Sequence, residues 1–180
     1  MAAREIRLAV TAEDRQVAGL AALAVGLSLA EAALPTPIPG VKPGLANIVI
    51  LFVMLRHGFA TAAWVMAIRL LAASLLLGSF LAPGFWLAAA GAAASMGVLY
   101  FVRYLPRALF GPVAFSLLMA FAHVGGQLVL AKLWLFTTAD IGMLVPVFAL
   151  AALVFGAVNG LIVSRLIADD SVTGAQSSHA

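Results

Sequence analysis

The sequence predicts an all-α integral membrane protein: about six transmembrane helices in one bundle, with both termini cytoplasmic. Three observations carry this expectation. The 180 residues are 64% hydrophobic and 9% charged, where a soluble domain is about 45–50% apolar and about 25% charged. The apolar residues fall in long runs broken by proline, glycine and arginine, and the basic residues gather on alternate connections between those runs. So much apolar surface is stable where lipid is the solvent, and in lipid each backbone amide must be bonded within its own element, which a helix achieves.

Residues 1–16 form a cytoplasmic lead-in of mixed charge, with Arg4, Glu5, Arg7, Glu13, Asp14 and Arg15; they lack the short apolar core and cleavage pattern of a signal peptide. Residues 17–168 form the membrane domain. Its first span runs from Val17 to Leu34, and the prolines of Pro35 to Gly44 then forbid helix. The second run, Leu45 to Leu55, is short. Started at Pro43 it would cover roughly 20 Å, less than a hydrocarbon core of about 30 Å. Either it is a partial span, or the proline segment dips into the protein, where irregular backbone is tolerated if buried or lining a cavity. The remaining spans are Phe59–Ala82, Phe85–Val102, Val113–Thr138 and Ile141–Ile167, the last kinked near Pro146. Residues 169–180 are small and polar, as in a flexible tail.

Six spans place Arg4, Arg7, Arg15, Arg56, Arg103, Arg107 and Arg165 on one side and Lys42 on the other. Basic residues stay in the cytoplasm, so this asymmetry sets both termini inside and turns the proline segment outward. The basic residues form no continuous patch, and nucleic acid is not an expected partner. The chain has no cysteine, which excludes disulfides and thiolate chemistry. No motif for hydrolysis, phosphoryl transfer or redox chemistry is present, and acidic residues are too few to suggest a metal site. The expectation is a binding protein, not an enzyme, with no cofactor and no metal.

The candidate functional residues are the polar ones inside spans, because a charge there costs about 2.5–3.5 kcal/mol on insertion scales. Arg69 lies in mid-span and is either a cation for an anionic ligand or the partner of Glu31. Glu31, one turn beyond Ser28, pairs with Arg69, meets a substrate amine or rests among headgroups. His123 and Gln127 share a helix face, with Gly125 and Gly126 between them permitting close approach; they are core hydrogen-bonding groups or they line a cavity. Lys132 is on another face, where snorkelling to the interface suffices. Lys42 precedes Pro43, the expected first residue of the second helix. A helix start beside an ammonium suits an anion, with Asn47 one turn further in, although an exposed loop lysine would look the same. Small residues at Ala18, Ala22, Gly26 and Ala30 make a stripe on the first helix, for packing within the bundle or for docking another subunit. The fourth span is also rich in small residues from Ala88 through Gly97.

The run from Glu31 through Pro35-Thr36-Pro37-Ile38-Pro39-Gly40-Val41-Lys42-Pro43-Gly44-Leu45-Ala46-Asn47-Ile48 resembles the Gx transporter family, also named heptaprenyl diphosphate synthase component I. Arg69-Leu70-Leu71 with Leu77-Gly78-Ser79, and Ala122-His123-Val124-Gly125-Gly126-Gln127-Leu128, extend the resemblance, which covers most of Leu34 to Gly160; Pro43 departs from the usual leucine. That family is similar to the substrate-binding subunits of energy-coupling factor transporters. The resemblance implies six helices, an outward pocket covered by the first loop, and small first-helix residues that dock a transmembrane coupling subunit carrying ATPases. The expected function is therefore substrate binding for uptake of a small anionic molecule across the plasma (inner) membrane. The site would comprise Lys42, Asn47, Arg69, His123, Gln127 and Glu31, with lipid around it. The alternative is a non-transporting subunit of an electron-transfer or isoprenoid-lipid synthesis complex.

Overall fold

The computed structural model describes residues 10–35, 42–106, 110–138 and 141–177. Arg4, Arg7, Arg107 and Thr36 to Val41 of the proline segment lie outside them, as do Ala139, Asp140 and the last three residues. The described residues form six α-helices: α1 (Ala12–Ala33), α2 (Leu45–His57), α3 (Phe59–Leu76), α4 (Pro83–Val102), α5 (Pro112–Leu130) and α6 (Leu144–Ser177). All but α2 are long and apolar enough to cross a membrane. Large side chains such as Trp64, Leu76, Leu150 and Leu161 point outward, where only lipid can solvate them. The chain is a multi-pass membrane protein.

Local chemistry sets the boundaries. Thr11 and Asp14 form a reciprocal capping box at the start of α1, satisfying two amides that the helix leaves free. Gly58 (φ +91°) separates α2 from α3, a conformation that suits glycine. Pro83 and Pro112 begin α4 and α5, where a missing N–H costs nothing. α3 stops at Leu76, short of the expected Ala82. α5 passes into one turn of π-helix, Ala131–Leu135, which contains Lys132; no sequence signal announced it. Pro146 falls in the first turn of α6, where it needs no amide partner, so the expected cause of a kink is absent. α6 also continues as helix to Ser177, through residues that the sequence suggested as a polar tail.

α2 occupies the centre. It packs against α1, α3, α5 and α6, and buries Ala46, Val49, Ile50, Leu51, Val53 and Met54. Two contacts fix its depth. Arg56 bridges Asp170 at 2.9 Å, and the Asn159 side-chain amide donates to the carbonyls of Pro43 (3.0 Å) and Gly44 (3.2 Å). α2 therefore lies beside the part of α6 between these two residues. The part of α6 before Asn159 continues for about 22 Å at 1.5 Å per residue beyond the start of α2. α2 is thus the partial span, and the residues just before it lie at membrane depth.

The opposite end of α2 gathers the basic residues. His57 Nδ1 meets Glu13 of α1 at 3.2 Å. The Arg103 guanidinium lies over Tyr100 at 4.0 Å and Phe59 at 5.2 Å, and donates to the Tyr104 hydroxyl. That donation, then the contribution of Tyr100, holds the exposed Tyr104 phenol below its ordinary pKa. Arg56 and Arg103 thus share one end of the bundle, while Thr137 lies beyond the far end of α5. Cysteine introduced at Thr137 should label with an impermeant reagent from outside intact cells, and cysteine at Tyr104 only after permeabilisation. The opposite labelling pattern would invert the bundle in the membrane.

Candidate functional site

The start of α2 is built by other helices. Gly44 is the N-cap, in the left-handed region (φ +71°, ψ 33°). A Cβ there would lie 3.1 Å from Asn47 Nδ2 and 3.6 Å from Asn159 Nδ2, so the conformation favours glycine and an added carbon would press on the Asn47 amide. The expectation that Pro43 opens the helix is corrected: two non-helical residues, Pro43 and Gly44, precede Leu45. Gly44 brings no side-chain cap. Glu31 of α1, only 6% exposed, supplies one across the bundle: its carboxylate accepts from the Leu45 amide at 2.6 Å. A carboxylate at a helix N-terminus meets both a free N–H and the positive end of the dipole.

One turn into α2, Asn47 Oδ1 accepts from Arg69 Nη1 of α3 at 2.8 Å. The Arg69 side chain is half-buried among the helices, and Glu31 acts on it through space. No direct salt bridge joins these two residues among the described residues. Burial of a cation against one neutral amide leaves most of its donors available, and such a charge needs an anion or further hydrogen bonds to be tolerated.

α4 and α5 pack closely against each other. Gly126 lies so close to α4 that a Cβ would come within 2.7 Å of the Ala90 carbonyl oxygen. A Cβ at Gly91 would come within 2.9 Å of the His123 ring. The two glycines let α4 and α5 touch and create the hollow that receives the imidazole. Gly125, by contrast, meets nothing within 4 Å, so only the second glycine of the pair serves close approach. His123 Nε2 lies 3.3 Å from Gln127 Nε2, and the field of Arg69 reaches His123.

The structure therefore brings Glu31, Asn47 and Arg69 together at the start of α2, and sets His123 beside Gln127 on α5. Lys42 is exposed, just before Pro43. Ser28 bonds back to the Ala24 carbonyl within its own helix. Lys132 is exposed and donates to the Thr137 carbonyl at 3.4 Å. The sequence reading missed Asn159, which is 6% exposed and fastens the segment before α2. Its signal was present as a single amide in the apolar run of residues 144–163. Ala18, Ala22, Gly26 and Ala30 are all exposed, on the side of α1 opposite the buried Ala21, Ala24 and Glu31.

A central half-helix, capped at depth by a neighbouring acid and surrounded by polar groups from the full spans, defines a class: a multi-pass helical membrane protein with a polar centre. Its family is also shown. The chain belongs to the family described as heptaprenyl diphosphate synthase component I, whose model matches residues 20–166. That range contains each residue of the polar centre. No curated protein and no solved structure matches the chain.

Proposed function

We propose that this protein is a substrate-binding subunit of the plasma (inner) membrane that serves uptake of a small anionic molecule and does not transform it. The observation that carries the reading is Arg69. It is a half-buried guanidinium in mid-span, bonded to a neutral amide and within the field of a carboxylate already engaged by the α2 amide. Converging polar groups in an apolar surround are what small-molecule sites are made of, and an intramembrane ionisable residue marks a site by default. Purification of the chain alone, followed by gentle native mass spectrometry, should reveal a co-purifying small molecule. Recovery of only empty protein across several expression hosts would count against the reading.

Uptake needs a source of energy, and the sequence contains no phosphate-binding motif for ATP. A transmembrane coupling subunit that carries ATPases would supply it. The surface we assign to that partner is the exposed stripe Ala18, Ala22, Gly26 and Ala30, where small residues allow helices to pack closely. Ala22→Leu, at a position exposed in the structure, should reduce partner capture at least severalfold while ligand binding and folding stay unchanged. Loss of folding or of ligand binding instead would make the stripe part of the internal packing.

The family's description favours a second reading, a non-transporting subunit of an isoprenoid-lipid synthesis assembly, since it names a synthase component. A subunit of that kind would co-purify with soluble or membrane enzymes, and its deletion would leave uptake intact.

A further inference from the structure

A groove runs between α1 and α6, away from the polar centre. α1 packs mainly against α2 and α3, and α6 against α5 and α2, so α2 forms the floor between them. The groove has a volume of about 400 Å³, within the range of small-molecule sites. Leu23 and Leu27 of α1, Phe52 of α2 and Leu166 of α6 line it, and Asp169 and Asp170 of α6 stand at its mouth. Polar ties hold both ends. Glu31, one turn beyond Leu27, accepts from the Leu45 amide and joins α1 to α2 past the deep end. The Arg56–Asp170 bridge joins α2 to α6 at the mouth. The side of the groove is open: Leu23 is 52% exposed and Leu166 43%. In a bilayer that side faces hydrocarbon.

Length and charge select the occupant. From Leu20 to Leu27 the α1 wall runs about 10 Å at 1.5 Å per residue, within the roughly 15 Å of hydrocarbon that one leaflet supplies. Apolar walls of that length suit an acyl chain. The mouth carries two carboxylates, Asp169 and Asp170, against the guanidinium of Arg56, whose side chain is 58% exposed. Arg165, one turn before Asp169, does not line the groove. An anionic headgroup would meet two like charges there, and an ammonium meets two opposite ones. A carboxylate accepts more than one donor and a guanidinium offers five, so both members of the Arg56–Asp170 bridge can bond further. A headgroup with an ammonium and a phosphate matches both signs. A primary ammonium donates charge-assisted hydrogen bonds to carboxylates, which a choline group, with no N–H, cannot do.

We propose that this groove binds one phosphatidylethanolamine from the leaflet on the Arg56 side. An acyl chain lies along Leu23, Leu27, Phe52 and Leu166, the ammonium meets Asp169 and Asp170, and the phosphate turns toward Arg56. The test uses the full chain, delipidated in mild detergent and titrated with phosphatidylethanolamine, phosphatidylcholine and phosphatidylglycerol of identical acyl chains. Native mass spectrometry reads the bound lipid. One phosphatidylethanolamine should be retained per chain, with at least threefold preference over each of the other two. Leu23→Trp should fill the groove and lower retention at least threefold. Asp169→Asn should abolish the preference over phosphatidylcholine. Both changes fall at exposed positions, and thermal midpoints report whether the variants fold. The wild-type titrations decide the matter even if a variant folds poorly. Equal retention of the three lipids, or preference for phosphatidylglycerol, overturns the proposal. So does retention that a folded Leu23→Trp leaves unchanged. Failure to bind any of the three, with Leu23→Trp weakening capture of a membrane partner instead, would give the groove to a partner helix and overturn it as well.

Discussion

Arg69→Met is expected to lower ligand affinity by more than tenfold with the helices retained. The substitution keeps the length of the side chain and removes its charge and its donors. A hydrogen bond to a charged group is worth about 1.5–3 kcal/mol, and about 1.4 kcal/mol corresponds to a factor of ten. The competing account gives Arg69 the structural task of balancing Glu31, which acts on it through space. In that case Arg69→Met would leave Glu31 as the surplus charge and lower the unfolding midpoint. Glu31→Gln in the same chain would then restore it, because glutamine keeps an oxygen to accept from the Leu45 amide. Rescue of stability by the double substitution, with ligand affinity unchanged throughout, would remove Arg69 from the site. Loss of affinity that the second substitution does not recover is the expected result.

The spans were legible in the sequence because lipid imposes a coarse rule: a long apolar run must be a helix. The short second run was legible too. A run of about 20 Å does not cross about 30 Å of hydrocarbon, and α2 is indeed the partial span. What the sequence left open was which residue closes its exposed end. Glu31 carries no local signal of being a helix cap, since the helix it caps is not its own and lies 14 residues further along the chain. Asn159, from α6, fastens the same end from more than a hundred residues away. Both are tertiary caps, and propensity and pattern act only along the chain. The polar candidates inside the spans could still be found, because each is costly in lipid whatever it does. Their partners could not: Arg69 meets Asn47 in the structure, where the sequence left an anionic ligand or Glu31 open. The boundary errors have an equally local origin. Pro146 breaks a helix that is already running but starts a new one without strain, and α6 begins just before it.

The packing of α5 against α6 predicts the largest effect on stability, and from the smallest possible change. Gly160→Ala adds one methyl group. Its Cβ would lie 2.5 Å from the Val113 Cα, 3.0 Å from the Ser116 Cβ and 3.3 Å from the Pro112 carbonyl oxygen. Two of these are backbone atoms of the first turn of α5, so no side-chain rotation relieves the contact and the helices must separate. Overpacking of this kind costs about 1–3 kcal/mol, occasionally more. The separation would also move Asn159, the adjacent residue, away from the carbonyls of Pro43 and Gly44 that it holds, so ligand binding should fall together with stability. Gly19→Ala is the matched comparison. Gly19 lies within α1, is exposed, and has nothing within 4 Å of the added carbon. Removal of a helix-interior glycine there should stabilise by about 0.5–1 kcal/mol. Unfolding midpoints measured in the same detergent should therefore move in opposite directions for the two glycine-to-alanine changes. If Gly160→Ala leaves both the midpoint and ligand binding unchanged, α5 and α6 are not in the close contact described, and the fastening of α2 by Asn159 loses its support.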